Sequence, residues 1–177
     1  MTTCPERWCI GAMSLLLPLL TSAQTPAIAP QPETVDGATA YAYKTVGETK
    51  LRLHVFKADG AKAGIPTPAI IFFFGGGFTQ GSVTQFAPQA KHFAQRGMVA
   101  VVADYRVFGR HGTSPFEAMT DAKSAVRWVR AHSGELGVDP KRIAAAGGSS
   151  GGHIAASAAV FDTFERSRRG QEGEFTS

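Results

Sequence analysis

The sequence predicts an α/β fold, a mostly parallel sheet flanked by helices in a three-layer sandwich. Three observations carry the prediction. The order of elements is two strands followed by three strand–helix units. The runs Ala69–Phe74 and Met98–Ala103 are continuously apolar, as strands covered on both faces are. Glycine clusters stand at the ends of two predicted strands, where a chain leaving a parallel sheet must turn.

The chain has 177 residues and a formal charge of +4, which suits one folded domain. The charge is scattered apart from Arg166, Arg168 and Arg169, and no basic stripe alternates with aromatics, so nucleic-acid binding is not expected. Residues 1–23 read as a signal peptide: Arg7 precedes the apolar run Trp8–Leu20, and Thr21-Ser22-Ala23 offers small residues for cleavage before Gln24. Export to the periplasm or the exterior follows from that reading, with a retained anchor as the alternative. The run is short and interrupted by Pro18 and predicts no stable membrane span. Both cysteines, Cys4 and Cys9, lie in it, so the mature chain is expected to have no disulfide and no cysteine metal site. Residues 24–38, proline-bearing and without an apolar period, read as a flexible linker before a domain over 39–177.

Tyr41–Val46 and Leu51–Phe56 read as strands around a turn at Gly47-Glu48. In the second, Leu51, Leu53 and Val55 alternate with Arg52 and His54, the pattern of a half-buried antiparallel strand. Asp59–Pro68 is a loop, and the buried strand Ala69–Phe74 follows. It runs into Gly75-Gly76-Gly77-Phe78, where glycines let backbone N–H groups approach a ligand closely. Ala87–Arg96 reads as a helix closed by Gly97, and Met98–Ala103 as a buried strand ending in Asp104-Tyr105-Arg106. Ser114-Pro115-Phe116-Glu117 is a helix start with Ser as cap, Pro at the first helical position and Glu three residues after the cap. Met119, Ala122, Val126 and Val129 mark the buried face of that helix. Asp121, in mid-helix, reads as a surface or structural charge.

Ile143–Ala146 then meets Gly147-Gly148-Ser149-Ser150-Gly151, and the helix former Ile154–Val160 follows. This is a strand, a tight turn and a helix with Ser149 at the apex. A serine raised on such a turn sits in a strained backbone, and β-carbons on its neighbours would clash. The following helix directs free N–H groups and its positive dipole end at the turn. A second register of the G-x-S-x-G pattern, Gly148 to Gly152, also fits the glycines. A phosphate-binding turn is the bland alternative; G-x-G-x-x-G is absent and no lysine follows the glycines.

The stretch from Gly147 to His153 resembles the G-x-S-x-G-G-H elbow of α/β-hydrolase esterases of the lipase and acetyl-esterase type. The resemblance runs from about Tyr41 to Val160. It implies Ser149 as nucleophile, with a backbone N–H of Ser150 in the oxyanion hole. Gly75-Gly76-Gly77 resembles the H-G-G-G oxyanion loop, with Phe74 in the place of the histidine and donors implied at Gly76 and Gly77. Asp104-Tyr105-Arg106 resembles the D-Y-R segment that braces that loop. No metal or organic cofactor is implied, and the oligomeric state is left open.

A serine nucleophile needs a histidine base and a carboxylate to orient it, and in this family the acid follows the serine and the base follows the acid. After Ser149 stand only His153, Asp162, Glu165, Glu172 and Glu174. His153, four residues along the receding helix, reads as structural. His54, His92, His111 and His132 precede the elbow, and nothing in the pattern brings them to it. Relative to the family the closing strands are missing, so the resemblance implies the N-terminal part of a longer hydrolase, with Ile143–Gly147 as an open, apolar edge. The expected function is hydrolysis of short acyl esters, small-molecule or polysaccharide. A non-catalytic remnant that binds an acyl or sugar ligand and a prolyl-oligopeptidase-type peptidase are the alternatives.

Overall fold

The computed structural model describes residues 28–160. The expected signal peptide, both cysteines, and Asp162, Glu165, Glu172 and Glu174 lie outside the described residues. Five strands form one mixed sheet: β1 (Thr39–Val46), β2 (Thr49–Phe56), β3 (Thr67–Phe73), β4 (Val99–Ala103) and β5 (Val138–Gly147), in the order β1-β2-β4-β3-β5. β1 pairs with β2 and β2 with β4 in antiparallel fashion, whereas β3 pairs with β4 and β5 in parallel. The parallel part is the three strands joined by helical crossovers, as the apolar runs require.

The helices are α1 (Ala87–Ala94), α2 (Phe108–His111), α3 (Pro115–Ala131), α4 (Ser133–Leu136) and α5 (Ser150–Val160), and a 3₁₀ turn spans Val83–Phe86. α3 starts as its sequence demands: Ser114 Oγ accepts from the Phe116 N–H, and Glu117 takes the Ser114 N–H at 2.9 Å. Its buried face is rotated from the expected one. Ala118, Ala122, Ala125 and Val129 are buried, while Met119 and Val126 are only half-covered. The rotation brings Asp121 inward. Its carboxylate is fully buried and takes Arg106 through Nε at 2.8 Å and Nη2 at 2.9 Å, and Lys44 Nζ at 2.8 Å. Asp121 is therefore a structural charge and not a surface one.

β2 is an interior strand with β1 and β4 on its flanks, and α1 also packs against it. Leu53–Phe56 are buried on both faces, and His54, expected on a polar face, is 1% exposed with neither ring nitrogen hydrogen-bonded. Burial holds its imidazole below the ordinary histidine range. Residues 28–38, within the stretch expected to be a flexible linker, form no helix or strand but are fastened to the domain. Val35 joins the core, and the Gln31 amide bonds to Gly81 and Val83. β5 lies at the edge of the sheet among the described strands, with Ala144 and Ala145 exposed.

Candidate functional site

The parallel strands bring both glycine segments to one end of the sheet. Ser149 follows β5 by two residues and precedes α5 by one, at φ 54°, in the left-handed region that side chains disfavour. The turn closes so tightly because its flanking glycines carry no side chain. A β-carbon on Gly147 would lie 2.4 Å from the Gly151 carbonyl carbon and 2.6 Å from the Phe73 oxygen. One on Gly151 would lie 2.1 Å from the same Phe73 oxygen. The helix takes over at once: the Gly151 N–H donates to the Gly148 carbonyl at 2.9 Å, and the His153 N–H to the Ser149 carbonyl at 3.1 Å. Ser149 is exposed, and Ser150, the first residue of α5, is buried. The Ser150 N–H is one of the donors that a helix start leaves without an intrahelical partner.

Gly75 lies against this turn; a β-carbon there would be 2.7 Å from the Gly148 oxygen and 3.5 Å from Ser149 Cβ. Gly76 and Gly77 have φ of 140° and 62°, and Phe78 a φ of 62°. Phe78 and Ser149 are the two non-glycine residues with positive φ among the described residues, and both belong to these facing loops. The Gly76 carbonyl closes its own turn by accepting from the N–H groups of Thr79 and Gln80, each at 3.1 Å. The N–H groups of Gly76 and Gly77 have no hydrogen-bond acceptor among the described residues. An open cleft of about 560 Å³ is lined by Gly75, Gly76, Gln80, Gly81, Ser82, Gln85, Gly148 and Ser149. Of the expected site residues, Ser149 and Gly76 line it; Gly77, next in the loop, is exposed, and Ser150, next in the turn, is buried.

The expected brace separates into three roles. Tyr105 is fully buried, and its hydroxyl donates to the Phe74 carbonyl at 2.6 Å, just before the glycines. Burial pushes this phenol up to about 12. Asp104 accepts the Tyr105 N–H at 2.8 Å and is 5% exposed. Burial pushes its carboxyl up to about 7, opposed by the nearby Arg110 charge and the Tyr105 N–H. Arg106 turns to Asp121 and braces α3 instead. Of the three, Tyr105 holds the residue that enters the glycine loop, and Asp104 holds Tyr105.

No imidazole lines the cleft among the described residues. His153 is exposed on α5 with its ring edge-on to Phe78, centroids 5.9 Å apart. His111 Nδ1 accepts the Val107 N–H, His132 stacks on Trp128, and His92 meets Arg96. Three contributors to the cleft had no sequence signal: Gln85, whose Oε1 accepts the Gly75 N–H at 2.6 Å, and Gln80 and Ser82, which complete the lining. Among the described residues no group of histidines, cysteines and carboxylates has the spacing to hold a metal, and no helix is long and apolar enough to cross a membrane.

Residues 54–175 match the BD-FAE family. A carboxylesterase of Mycobacterium tuberculosis, NlhH, is 40% identical over 91 residues, which are 50% of this chain and 28% of that protein. LipM of the same organism, a probable carboxylic ester hydrolase, is 38% identical over 106 residues, 59% of this chain and 24% of its own length. The structure of a thermophilic esterase from Thermogutta terrifontis superposes with a TM-score of 0.67 at 52% identity, over 68% of this chain and 43% of that one. The chain thus spans about a quarter of these curated relatives' length and under half of the solved esterase.

Proposed function

The chain belongs to the BD-FAE family of α/β-hydrolase esterases, and from that premise we propose that the protein hydrolyses carboxylic esters through an acyl-enzyme on Ser149. The observation that carries the reading is the meeting of two strained loops: an exposed serine at φ 54° on a strand-to-helix turn, with a glycine loop against it. The Ser149 hydroxyl oxygen attacks the ester carbonyl carbon while its proton passes to a base. The carbonyl oxygen gains the negative charge, which the N–H groups of Gly76, Gly77 and Ser150 stabilise. Collapse expels the alcohol, which takes up the proton, and water then releases the acid by the same steps. The base and its orienting carboxylate come from outside residues 28–160.

Cleft walls built of small residues, glycines and serines, with two glutamines, support a short acyl group of the acetyl type. Acetylated polysaccharides are among the alcohols to be tested. The Arg7–Ala23 stretch supports export of the protein. A second reading, a ligand-binding relative without turnover, draws on the lack of an imidazole at the cleft among the described residues. The two readings are separated by steady-state hydrolysis of p-nitrophenyl acetate and of longer acyl esters by the intact protein and by Ser149→Ala. Turnover that Ser149→Ala abolishes, highest for acetate, is expected. Equal turnover in the variant overturns the nucleophile assignment, and none in the wild type favours the second reading.

A further inference from the structure

We infer that Gln31 is a positioning residue for the cleft, strapping the segment before β1 onto the stretch that supports the glycine loop. Its side-chain amide spans residues 50 and 52 positions away in sequence: Nε2 donates to the Gly81 carbonyl at 3.3 Å, and Oε1 accepts the Val83 N–H at 3.1 Å. The orientation of the amide follows from its partners, since a carbonyl can only accept and an N–H only donate. One side chain thus satisfies a carbonyl and an N–H at the two ends of the three-residue stretch Gly81–Val83, as a neighbouring strand would.

What it holds is the support of the glycine loop. Gly81, at φ 121°, packs directly on that loop; a β-carbon there would lie 2.2 Å from the Gly75 oxygen and 2.4 Å from Phe74 Cδ2. From Val83 the chain continues as the 3₁₀ turn to Gln85, which takes the Gly75 N–H. The carbonyl of Gly75 rests on Gly81 and its N–H on Gln85, so both sides of this residue depend on the stretch that Gln31 clamps. Arg110 Nη1 also donates to the Gly81 carbonyl, at 2.9 Å, and restrains one end of the stretch. The Val83 end has Gln31.

The strap is anchored at both ends. Val35 is 6% exposed in the core, and Ile28 Cδ1 packs so closely on α2 that a β-carbon on Gly109 would meet it at 2.1 Å. The pairs Glu33–Arg52 and Asp36–Lys91 add exposed charge contacts, which contribute little by themselves. The segment before β1 is therefore part of the cleft's support.

The kinetic consequence rests on the ester-hydrolase reading; the structural one does not. The test compares intact wild type with Gln31→Leu, which removes both bonds, and Gln31→Glu, which keeps only the acceptor for the Val83 N–H. Amide exchange over residues 75–85 is followed by mass spectrometry, and ester hydrolysis in parallel. Exchange there rises about tenfold in Gln31→Leu, because both hydrogen bonds that close the stretch are gone, and by less in Gln31→Glu. The value of kcat falls severalfold in the same order, with KM nearly unchanged, because the loop's donors act on the transition state. Unchanged exchange over 75–85 overturns the strap, and raised exchange with unchanged kcat overturns the positioning role. If Gln31→Leu does not fold, Gln31→Glu decides by the same criteria. A wild type without ester turnover refutes the hydrolase reading alone, and the exchange result still judges the strap.

Discussion

The Tyr105 hydroxyl donates to the Phe74 carbonyl at 2.6 Å while the two rings stack with centroids 4.0 Å apart. One side chain thus fixes both the backbone and the side chain of the residue that enters the glycine loop. Tyr105→Phe keeps the stack and leaves a buried carbonyl without its donor, which destabilises the fold by about 1–3 kcal/mol. Urea unfolding measures the loss, and kcat for ester hydrolysis should fall with it. A variant as stable and as active as wild type would show that the hydroxyl does not hold the loop.

Ser149 bears a side chain where glycine is the comfortable residue. Ser149→Ala and Ser149→Gly are both expected to lose turnover, but they should differ in stability. Relief of about 1–2 kcal/mol of left-handed strain outweighs the greater freedom glycine gives the unfolded chain, about 0.4–1 kcal/mol. Ser149→Gly should therefore unfold at higher temperature than Ser149→Ala, reversing the usual order of these residues. The usual order would show that the turn is unstrained.

Asp104 is pushed up to about 7 in the folded chain against an ordinary 3.8, because it is buried. Below about pH 4 it is neutral in both states and destabilises nothing. As pH rises from there towards 7, the unfolded chain ionises freely and the folded one cannot, so this group's contribution to stability falls across that window. Asp104→Asn keeps an acceptor for the Tyr105 N–H and cannot ionise. Its stability relative to wild type should rise between pH 4 and pH 8, by up to about 4 kcal/mol, since each pH unit between the two titration points counts for about 1.4 kcal/mol. Unfolding curves at pH 4, 6 and 8 test the sign, and a flat or falling difference would refute it.

The interior of the parallel sheet was legible because β3 and β4 are covered on both faces and are written as unbroken apolar runs. The elbow was legible because the backbone approaches between Gly147, Gly151 and Phe73 exclude side chains and so leave glycines in the sequence. Less could be read elsewhere. β5 begins at Val138, before its apolar part, and Asp139, Lys141 and Arg142, which hide that start in the sequence, keep partial or full exposure there. α2, α4 and the 3₁₀ turn are four residues each, too short to show a helical period. The face of α3 is easily misjudged because an inward carboxylate paired with Arg106 and Lys44 looks, along the helix, like a polar position. Gln31 and Gln85 act across tertiary contacts, and a neutral amide carries no periodic or charge signal.

The Asp121 hub also joins contacts of very different reach along the chain. Its contact with Arg106 closes a loop of 15 residues, and its contact with Lys44 one of 77. Closing the longer loop costs roughly 1.5 kcal/mol more in chain entropy, so the Asp121–Arg106 contact is expected to close before the Asp121–Lys44 contact. Weakening the Lys44 contact should therefore mainly speed unfolding, whereas weakening the Arg106 contact should slow folding. A single buried carboxylate would then report on two successive moments of the folding reaction.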